Sequence, residues 1–302
     1  MQWIDHGNHI EIILPEGFNY RECLVFLGRS DLELLHHIHD QYLMKLVDTS
    51  EEEVLLKINS RKRNLTIEFP FGAPSDRSKD DVAHYIYDWF DLKRDLSAFY
   101  QMASNDVILQ PLAEKYNGLR IIGIPDLFEA LTWAIMGQQI NLKFAYTLKK
   151  RFIENFGEKR EYKDTSYWLY PSPEKIANLN TDDLRKLQFT SRKAEYVIGA
   201  AKEMASGKLS KGMLMDIRDP KKQHETLLSL KGVGAWTADY VMMKCLLETT
   251  AFPIADAGIH NAIKKQLNLA AKPKQDEIIE LAKNWSGWEA YVTFYLWRSL
   301  YE

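Results

Sequence analysis

The feature that most constrains the fold of this chain is a Gly-Val-Gly turn between two helical stretches, in LLSLKGVGAWTADYVMMKCLL at residues 227–247. Apolar residues end the first stretch and recur from Ala235 onward at the spacing of a second helix. Gly232 and Gly234 indicate a turn too tight for side chains at either position. Such a turn leaves unpaired backbone N–H groups at the N-terminus of the second helix, where the helix dipole favours an anion. The pattern predicts a helical hairpin that holds a phosphate, although a plain link between two packed helices has the same pattern.

The first hundred residues have the alternation that is typical of strands. Apolar and polar residues alternate over residues 54–58 and 65–69, and the polar SRKRN between them predicts an antiparallel hairpin. Residues 9–14 are a further strand candidate. Residues 80–101 repeat apolar side chains at helical spacing, so this region is predicted to end in a helix.

From about residue 125 onward, nearly every segment is predicted to be helical. Apolar residues recur at helical spacing over residues 126–139 and 144–156, and prolines punctuate the later segments. The fold class is therefore mainly α with a small α+β N-terminal domain.

The length of 302 residues is enough for two domains, each with its own core. We predict a mixed α/β N-terminal domain with an antiparallel sheet over residues 1–115. Residues 116–302 are predicted to form a helical domain, with the hairpin at about residues 222–247.

The charge balance argues against DNA capture by a positive field. The chain has 39 Lys and Arg against 42 Asp and Glu, a net charge of −3. The charge balance does not argue against a phosphate site at the hairpin, because backbone N–H groups hold a phosphate without a cationic side chain.

The two cysteines, Cys23 and Cys245, lie far apart in sequence and have no metal-ligand spacing, which excludes a four-cysteine iron–sulfur cluster. We expect buried free thiols in a reducing compartment. The N-terminus lacks a basic leader with an apolar core, and no run approaches the roughly 18 apolar residues of a membrane span. We therefore expect a soluble cytoplasmic protein, associated with the nucleoid in a bacterium.

A carboxylate stands downstream of the hairpin, at Asp256 in AFPIADAGIHNAIKKQL. Pro253 ends the preceding segment and residues 257–267 have helical spacing, so Asp256 is predicted to be the N-cap of a helix. A helix N-terminus favours the ionised form of a carboxylate, which suits a reaction that develops positive charge on a sugar. A purely structural cap fits the same pattern.

Four motifs in this order resemble the helix-hairpin-helix glycosylase superfamily, and among its branches the 3-methyladenine DNA glycosylase II family. They are LTWAIMGQQI (131–140), LKGVGAWTADY (230–240), FPIADAGI (252–259) and WSGWEAYVTFYLW (285–297). The resemblance is strong over roughly residues 120–302, and the earlier part matches only in its general pattern. It implies the helix-hairpin-helix glycosylase architecture.

The resemblance also implies a set of site residues. They are Asp256 as the catalytic aspartate; Gly232, Val233 and Gly234 as the phosphate-binding hairpin, with a monovalent cation at the carbonyls near Gly232 and Gly234; Trp236, Tyr240 and Trp297 around the extrahelical base; and Gln138 and Gln139 in the gap left in the duplex. The implied partner is double-stranded DNA containing damaged bases, bound by a monomer, with no cofactor and no membrane.

The position of Trp236 predicts the reaction type. Bifunctional members of the superfamily have there a lysine that attacks the sugar, and an indole forms no Schiff base. Lys231 precedes the turn, and Lys244 is expected on the solvated side of its helix. We predict a monofunctional glycosylase that flips alkylated purines out of DNA, hydrolyses the N-glycosidic bond and has no lyase activity.

Two alternatives remain open. One is a glycosylase for deaminated or oxidised bases, and the other is a non-catalytic helix-hairpin-helix module that only binds DNA. Asp256 together with Trp236 favours the enzyme. The sequence departs from the family at Glu289, where an arginine is common, and at Ala257, where some relatives have an aromatic residue.

Overall fold

The computed structural model describes residues 1–301, and residue 302, the last of the predicted helical domain, lies outside them. The strands are β1 (Trp3–Asp5), β2 (His9–Ile13), β3 (His37–His39), β4 (Tyr42–Asp48), β5 (Glu53–Arg61), β6 (Asn64–Glu68), β7 (Glu158–Tyr162) and β8 (Thr165–Leu169).

Helices make up most of the remaining structure. They are α1 (Tyr20–Leu27), α2 (Asp76–Trp89), α3 (Ser97–Ala103), α4 (Leu109–Lys115), α5 (Leu127–Gly137), α6 (Leu142–Phe156), α7 (Pro173–Ala177), α8 (Thr181–Arg185), α9 (Ser191–Ala205), α10 (Lys211–Asp216), α11 (Pro220–Leu228), α12 (Ala235–Lys244), α13 (Ala257–Gln266), α14 (Gln275–Ala282) and α15 (Glu289–Arg298), with a 3₁₀ turn at Lys283–Trp285.

The predicted antiparallel hairpin is confirmed as β5 and β6, in which Ile58 lies opposite Ile67. The strand candidate at residues 9–14 is β2, which pairs with β6. Strands β1 to β6 form one antiparallel sheet in the order β1-β2-β6-β5-β4-β3, and β7 and β8 form a separate hairpin. The alternation that predicts these strands buries Ile10 and Ile12 against the core. The fold class is therefore confirmed: a small antiparallel sheet followed by a mainly helical region.

Two local predictions are wrong. The single helix expected over residues 80–101 is two helices, because α2 ends at Trp89 and Asp91 has a left-handed backbone, with φ of 44°. The prediction of nearly continuous helix after residue 125 misses the β7–β8 hairpin. At the turn between β7 and β8, Lys163 and Asp164 both have positive φ. Glycine or asparagine usually marks a turn of this kind, and this sequence has neither residue there.

One continuous core connects the sheet to the helices. It includes Ile10 of β2, Leu131 of α5 and Phe294 of α15. The Phe26 and Phe294 rings pack with centroids 4.5 Å apart, so α1 lies directly against α15. The division of the chain at residue 115 stays a prediction.

Buried ion pairs also join the two parts of the chain. Lys149 of α6 donates to Glu33, which follows α1, and to Glu129 of α5, each at 3.0 Å. All three side chains are at most 13% exposed. The segment that follows α1 is thereby fixed against the helices that carry the candidate site.

Cys23 and Cys245 are buried free thiols, as predicted. Within residues 1–301, no helix is both long and apolar enough to cross a membrane.

Candidate active site

The helical hairpin consists of α11, a turn and α12. Gly232 has φ of 87°, and a Cβ atom there would meet the Tyr196 ring at 2.1 Å, so glycine is needed for both backbone and space. Gly234 differs, since its φ is −97° and an added Cβ meets nothing within 4 Å. The prediction that both glycines lack room is therefore wrong at Gly234. Its exposed backbone, with no side chain capping α12, leaves the first N–H groups of that helix open to solvent.

Gln138 and Gln139 follow α5 and lie in different surroundings. The Gln138 amide donates to the Gly232 carbonyl at 2.9 Å and to the Thr237 hydroxyl at 3.0 Å. Gln138 thus connects the C-terminal end of α5 to the helical hairpin by two hydrogen bonds. Gln139 is exposed and has φ of 55°, which turns the chain away from the helix. Of the two, Gln139 has the side chain that is free to extend from the protein.

Asp256 is the N-cap of α13, as predicted. Its Oδ1 accepts hydrogen bonds from the backbone N–H groups of Gly258 at 2.8 Å and Ile259 at 3.3 Å. The same oxygen accepts the indole N–H of Trp297 at 2.9 Å, and Oδ2 accepts that of Trp236 at 3.0 Å. The half-buried carboxylate therefore has four neutral donors. Three of them engage Oδ1, so Oδ2 keeps capacity for a further contact.

Gly258 is a site residue that the sequence reasoning missed. A Cβ atom there would lie 2.7 Å from Asp256 Oδ1 and 3.0 Å from Trp297 Nε1, against both atoms of that hydrogen bond. Glycine at this position therefore permits the contact between Trp297 and Asp256. The only sequence signal is a glycine two residues after a helix cap.

An aromatic cluster, separate from the main core, lies beside the carboxylate. Trp133, Tyr146 and Tyr240 are its buried members, and Trp236 and Trp297 pack against it. The Tyr240 ring lies 5.6 Å from Trp236 and 6.0 Å from Trp297, centroid to centroid. The structure thus brings the three aromatic residues predicted for the base pocket together, and two of them, Trp236 and Trp297, donate to Asp256.

A surface cleft of about 930 Å³ joins these features. The lining residues are Gly137, Gln138, Gln139, Ile140, Asn141, Tyr196, Gly232, Val233, Gly234, Ala235, Trp236, Thr237, Ala255, Asp256 and Ala257. Residues predicted from three separate motifs meet in this one cleft. Ala257, the position where some relatives have an aromatic residue, is exposed in this lining.

The carbonyls suggested for a monovalent cation already accept protein N–H groups. The Gly232 carbonyl accepts from Gln138 at 2.9 Å, and the Gly234 carbonyl accepts from Ala238 at 2.9 Å within α12. Each oxygen keeps a second lone pair, so the monovalent cation at these carbonyls stays a prediction, and no step below depends on one.

Lys244 is buried, which corrects the prediction that it lies on the solvated side of α12. Its amine donates to the Ile122 carbonyl and lies 4.8 Å from the Phe294 ring centroid. Burial moves the pKa of Lys244 well below its usual range. Lys231 points outward and pairs with Glu195 at 3.1 Å. Neither lysine lines the cleft.

Two family profiles match the chain. One described as "HhH-GPD superfamily base excision DNA repair protein" matches residues 132–287, and one described as "8-oxoguanine DNA glycosylase, N-terminal domain" matches residues 25–131. The helical hairpin, the aspartate beside it and the small sheet define the helix-hairpin-helix glycosylase architecture. The chain belongs to the HhH-GPD superfamily of base excision DNA repair proteins and is a DNA glycosylase of that repair process.

Individual relatives cover the whole chain. A DNA-3-methyladenine glycosylase of Bacillus subtilis (strain 168) is 42% identical over 304 residues, which is 100% of each chain. A 3-methyladenine DNA glycosylase of Archaeoglobus fulgidus superposes with a TM-score of 0.82 at 21% identity, covering 95% of this chain and 97% of that one. The 8-oxoguanine glycosylase/lyase of Clostridium acetobutylicum superposes with a TM-score of 0.77 at 19% identity, covering 99% and 97%. These two superpositions establish the shared fold.

Proposed function

We propose that this protein is a monofunctional glycosylase that removes alkylated purines from double-stranded DNA. The observation that carries the proposal is Asp256, a carboxylate held by four neutral donors in a cleft beside the hairpin. The name of the relative at 42% identity supports the alkylated substrate class.

The hairpin is the proposed phosphate contact. The open N-terminus of α12 presents backbone N–H groups and the positive end of its helix dipole. A nucleotide held there has its base close to the aromatic cluster. Extrusion of that base costs a few kcal/mol, and less for a damaged base. Gln139, exposed at the cleft, is the proposed residue that fills the gap in the duplex.

The chemistry takes place at the sugar. The C1′–N bond breaks and its electron pair stays on the purine nitrogen. An alkylated purine that begins as a cation therefore leaves as a neutral molecule and needs no general acid. Positive charge develops on the sugar next to Oδ2 of Asp256, which stabilises it. Water then adds to C1′, and its proton passes to Asp256 or to solvent.

The absence of lyase activity is proposed from Trp236. Its indole N–H is bonded to Asp256 at 3.0 Å, and it stands where bifunctional relatives have a nucleophilic lysine. Strand cleavage by this class of enzyme proceeds through a Schiff base, which requires an amine at the sugar. The proposed product is an intact strand with an abasic site, released by a monomer that uses no cofactor.

The experiment is a panel of duplexes, each with one lesion, incubated with the wild-type protein. We expect release of alkylated purines, strand breaks only after alkali treatment, and no cross-link to DNA with borohydride. Excision confined to an oxidised base would overturn the substrate assignment. A stoichiometric borohydride adduct would overturn the monofunctional assignment.

A further inference from the structure

A short segment without helix or strand, residues 252–256, leads into α13 and carries Asp256 at its end. The Phe252 carbonyl accepts the Ile254 N–H at 2.7 Å, and the Pro253 carbonyl accepts the Asp256 N–H at 2.8 Å. These two bonds make the segment a compact turn. Neither bond reaches another element, so contacts from outside set the place of the segment in the protein.

Asp239, on α12, provides one of these contacts. Its carboxylate accepts the backbone N–H of Phe252, the first residue of the segment. Trp236, three residues earlier on the same helix, donates to Asp256 at the last residue of the segment. Residues three apart on a helix are neighbours on one face. One face of α12 therefore holds both ends of the segment that carries the proposed catalytic carboxylate.

Asp239 also joins the two helices of the hairpin. His224 Nε2, on α11, lies 3.4 Å from Asp239 Oδ1. The two side chains are 26% and 19% exposed, so water screens this contact only in part. The two hairpin helices and the segment that ends at Asp256 thus meet at the carboxylate of Asp239.

Two further contacts hold the segment from the side of α13 and the C-terminal region. His260 Nε2 lies within hydrogen-bond distance of the Ile254 carbonyl, at 3.0 Å. The Phe252 ring packs edge-on against Trp285, with centroids 6.2 Å apart. Neither contact involves the hairpin. Loss of the Asp239 side chain should therefore shift the segment relative to α12 without releasing it from the rest of the protein.

We propose that Asp239 is a positioning residue that sets the place of Asp256 relative to the hairpin. The proposal rests on the proposed function, in which Asp256 acts on a sugar whose phosphate is bound at the N-terminus of α12. Asp239 does not line the cleft, and it acts through the N–H of Phe252. Misplacement of a reacting group by about 1 Å lowers a rate by about a hundredfold. Because Trp236 still holds Asp256 itself, we expect a smaller loss when Asp239 is removed.

The charge of Asp239 changes within the pH range in which enzymes are assayed. Burial raises the pKa of its carboxyl to about 6, although the charge of His224 and the N–H of Phe252 both act to lower it. His224 is the titratable group that faces it from α11, and the segment contributes a backbone group. An ionised carboxylate accepts an N–H more strongly than a protonated one. The contact with Phe252 is therefore strongest above about pH 6 and weakens as pH falls below that value.

The first test measures single-turnover excision of 7-methylguanine from duplex DNA at neutral pH. Asp239→Ala removes the acceptor, and we expect about tenfold slower excision with binding to a stable abasic analogue retained. Asp239→Asn keeps an oxygen acceptor for the N–H of Phe252 and should restore most of the rate. Asp276→Ala, at an exposed aspartate of α14, is the matched control and should excise as wild type does.

The second test is the pH profile of the same reaction, with spontaneous depurination subtracted. The wild-type rate should fall as pH drops through about 6, and Asp239→Asn, which does not titrate, should lack this fall. His224→Gln removes a charge that lowers the pKa of Asp239, so the fall should move to higher pH. A residue that only supports the fold would change the melting temperature and leave the position of the fall unchanged.

Wild-type excision by Asp239→Ala would remove the positioning role, and so would a loss of abasic-analogue binding equal to the loss of excision. If Asp239→Ala fails to fold, as judged by thermal melting, the pH profiles of Asp239→Asn and His224→Gln decide the question, and profiles like that of wild type would overturn the proposal. Normal excision by both wild type and Asp239→Ala contradicts this inference alone. Wild-type protein that excises no alkylated purine contradicts the proposed function and this inference with it.

Discussion

Asp256 and the pair Glu33 and Glu129 are carboxylates that hydrogen bonds hold in fixed positions, but their donors differ. Glu33 and Glu129 both accept from Lys149, whose cation offsets part of their charge, and Glu33 also accepts the backbone N–H groups of Leu34 and Leu35. Asp256 accepts four neutral N–H groups and has no cation within ion-pair distance among residues 1–301. Neutral donors orient a carboxylate and leave its negative charge available to another group.

This difference separates a structural carboxylate from a reactive one. Attraction to a cationic partner offsets the free energy that it costs to bury a carboxylate. The side chains of Glu33 and Glu129 are accordingly almost fully buried, at 9% and 13% exposure. Asp256 is half-buried in the lining of the cleft, where its charge is open to a bound ligand. The first arrangement stabilises the fold, and we propose that the second supports catalysis.

The largest expected effect is on stability, at Lys149. Lys149→Met leaves two buried carboxylates without an ion-pair partner, although Glu33 keeps the backbone N–H groups of Leu34 and Leu35. The change should lower the free energy of unfolding by about 3–5 kcal/mol. Lys150→Met is the matched control, because Lys150 is on the same helix and pairs with Glu154 at 3.8 Å on the exposed surface. That change should cost less than about 1 kcal/mol. Denaturant unfolding at neutral pH measures both, and equal effects would remove the distinction between the two pairs.

The pH dependence of the same variant gives a second measurement. Burial alone would raise the pKa of Glu33, but the charges of Lys149 and His36 and the hydrogen bonds from Leu35 and Lys149 together more than reverse this, so the pKa lies below its usual range. A lowered pKa in the folded state stabilises the protein above the unfolded pKa of about 4, and this stabilisation is lost as pH falls further. The stability difference between wild type and Lys149→Met should therefore be largest at neutral pH and shrink below about pH 4. A constant difference would contradict the ion-pair explanation.

The next effect concerns orientation of Asp256. Gly258→Ala places a methyl group too close to both Asp256 Oδ1 and Trp297 Nε1, and Trp297→Phe removes that donor. We expect either change to slow excision about tenfold or more, with binding to a stable abasic analogue retained. Gly199→Ala, in α9 where an added Cβ meets nothing within 4 Å, is the control for a helical glycine. Normal excision by Gly258→Ala would show that Trp297 does not orient the carboxylate.

The smallest effect is expected at the hairpin. Gly234→Asp adds a carboxylate where a phosphate is proposed to approach, and the open space at its Cβ keeps the fold intact. DNA binding should weaken about tenfold, whereas Gly234→Ala, which adds no charge, should bind more nearly as wild type does. The salt dependence of wild-type binding should be shallow, because backbone N–H groups release few counterions. A slope equivalent to ten or more phosphate contacts would contradict a hairpin-centred interface.

Local patterns in the sequence predict much of the fold and of the site. The alternation of β5 and β6, the hairpin glycine Gly232 and the cap Asp256 each depend on residues close in sequence, so each leaves a readable pattern. The pairing of Lys149 with Glu33 joins residues 116 apart and leaves no such pattern. The same holds for the two indole donors to Asp256, which come from different helices. Family resemblance places Trp236 and Trp297 near the base, but only the structure shows their N–H groups on the carboxylate.

The most direct test of Asp256 compares it with Asp219, another aspartate at a helix N-terminus. Asp219 is exposed and caps α11 through the Lys221 N–H at 3.0 Å, without an indole donor. Asparagine caps a helix about as well as aspartate, so Asp256→Asn and Asp219→Asn should both melt close to wild type.

Single-turnover excision of an alkylated purine then separates the two aspartates. Asparagine carries no negative charge for the sugar cation and takes no proton from water. Asp256→Asn should therefore slow excision at least about a hundredfold while binding to an abasic analogue persists, and Asp219→Asn should excise as wild type does. If Asp256→Asn excises at a rate near that of wild type, Asp256 is a helix cap like Asp219 and the proposed mechanism is wrong.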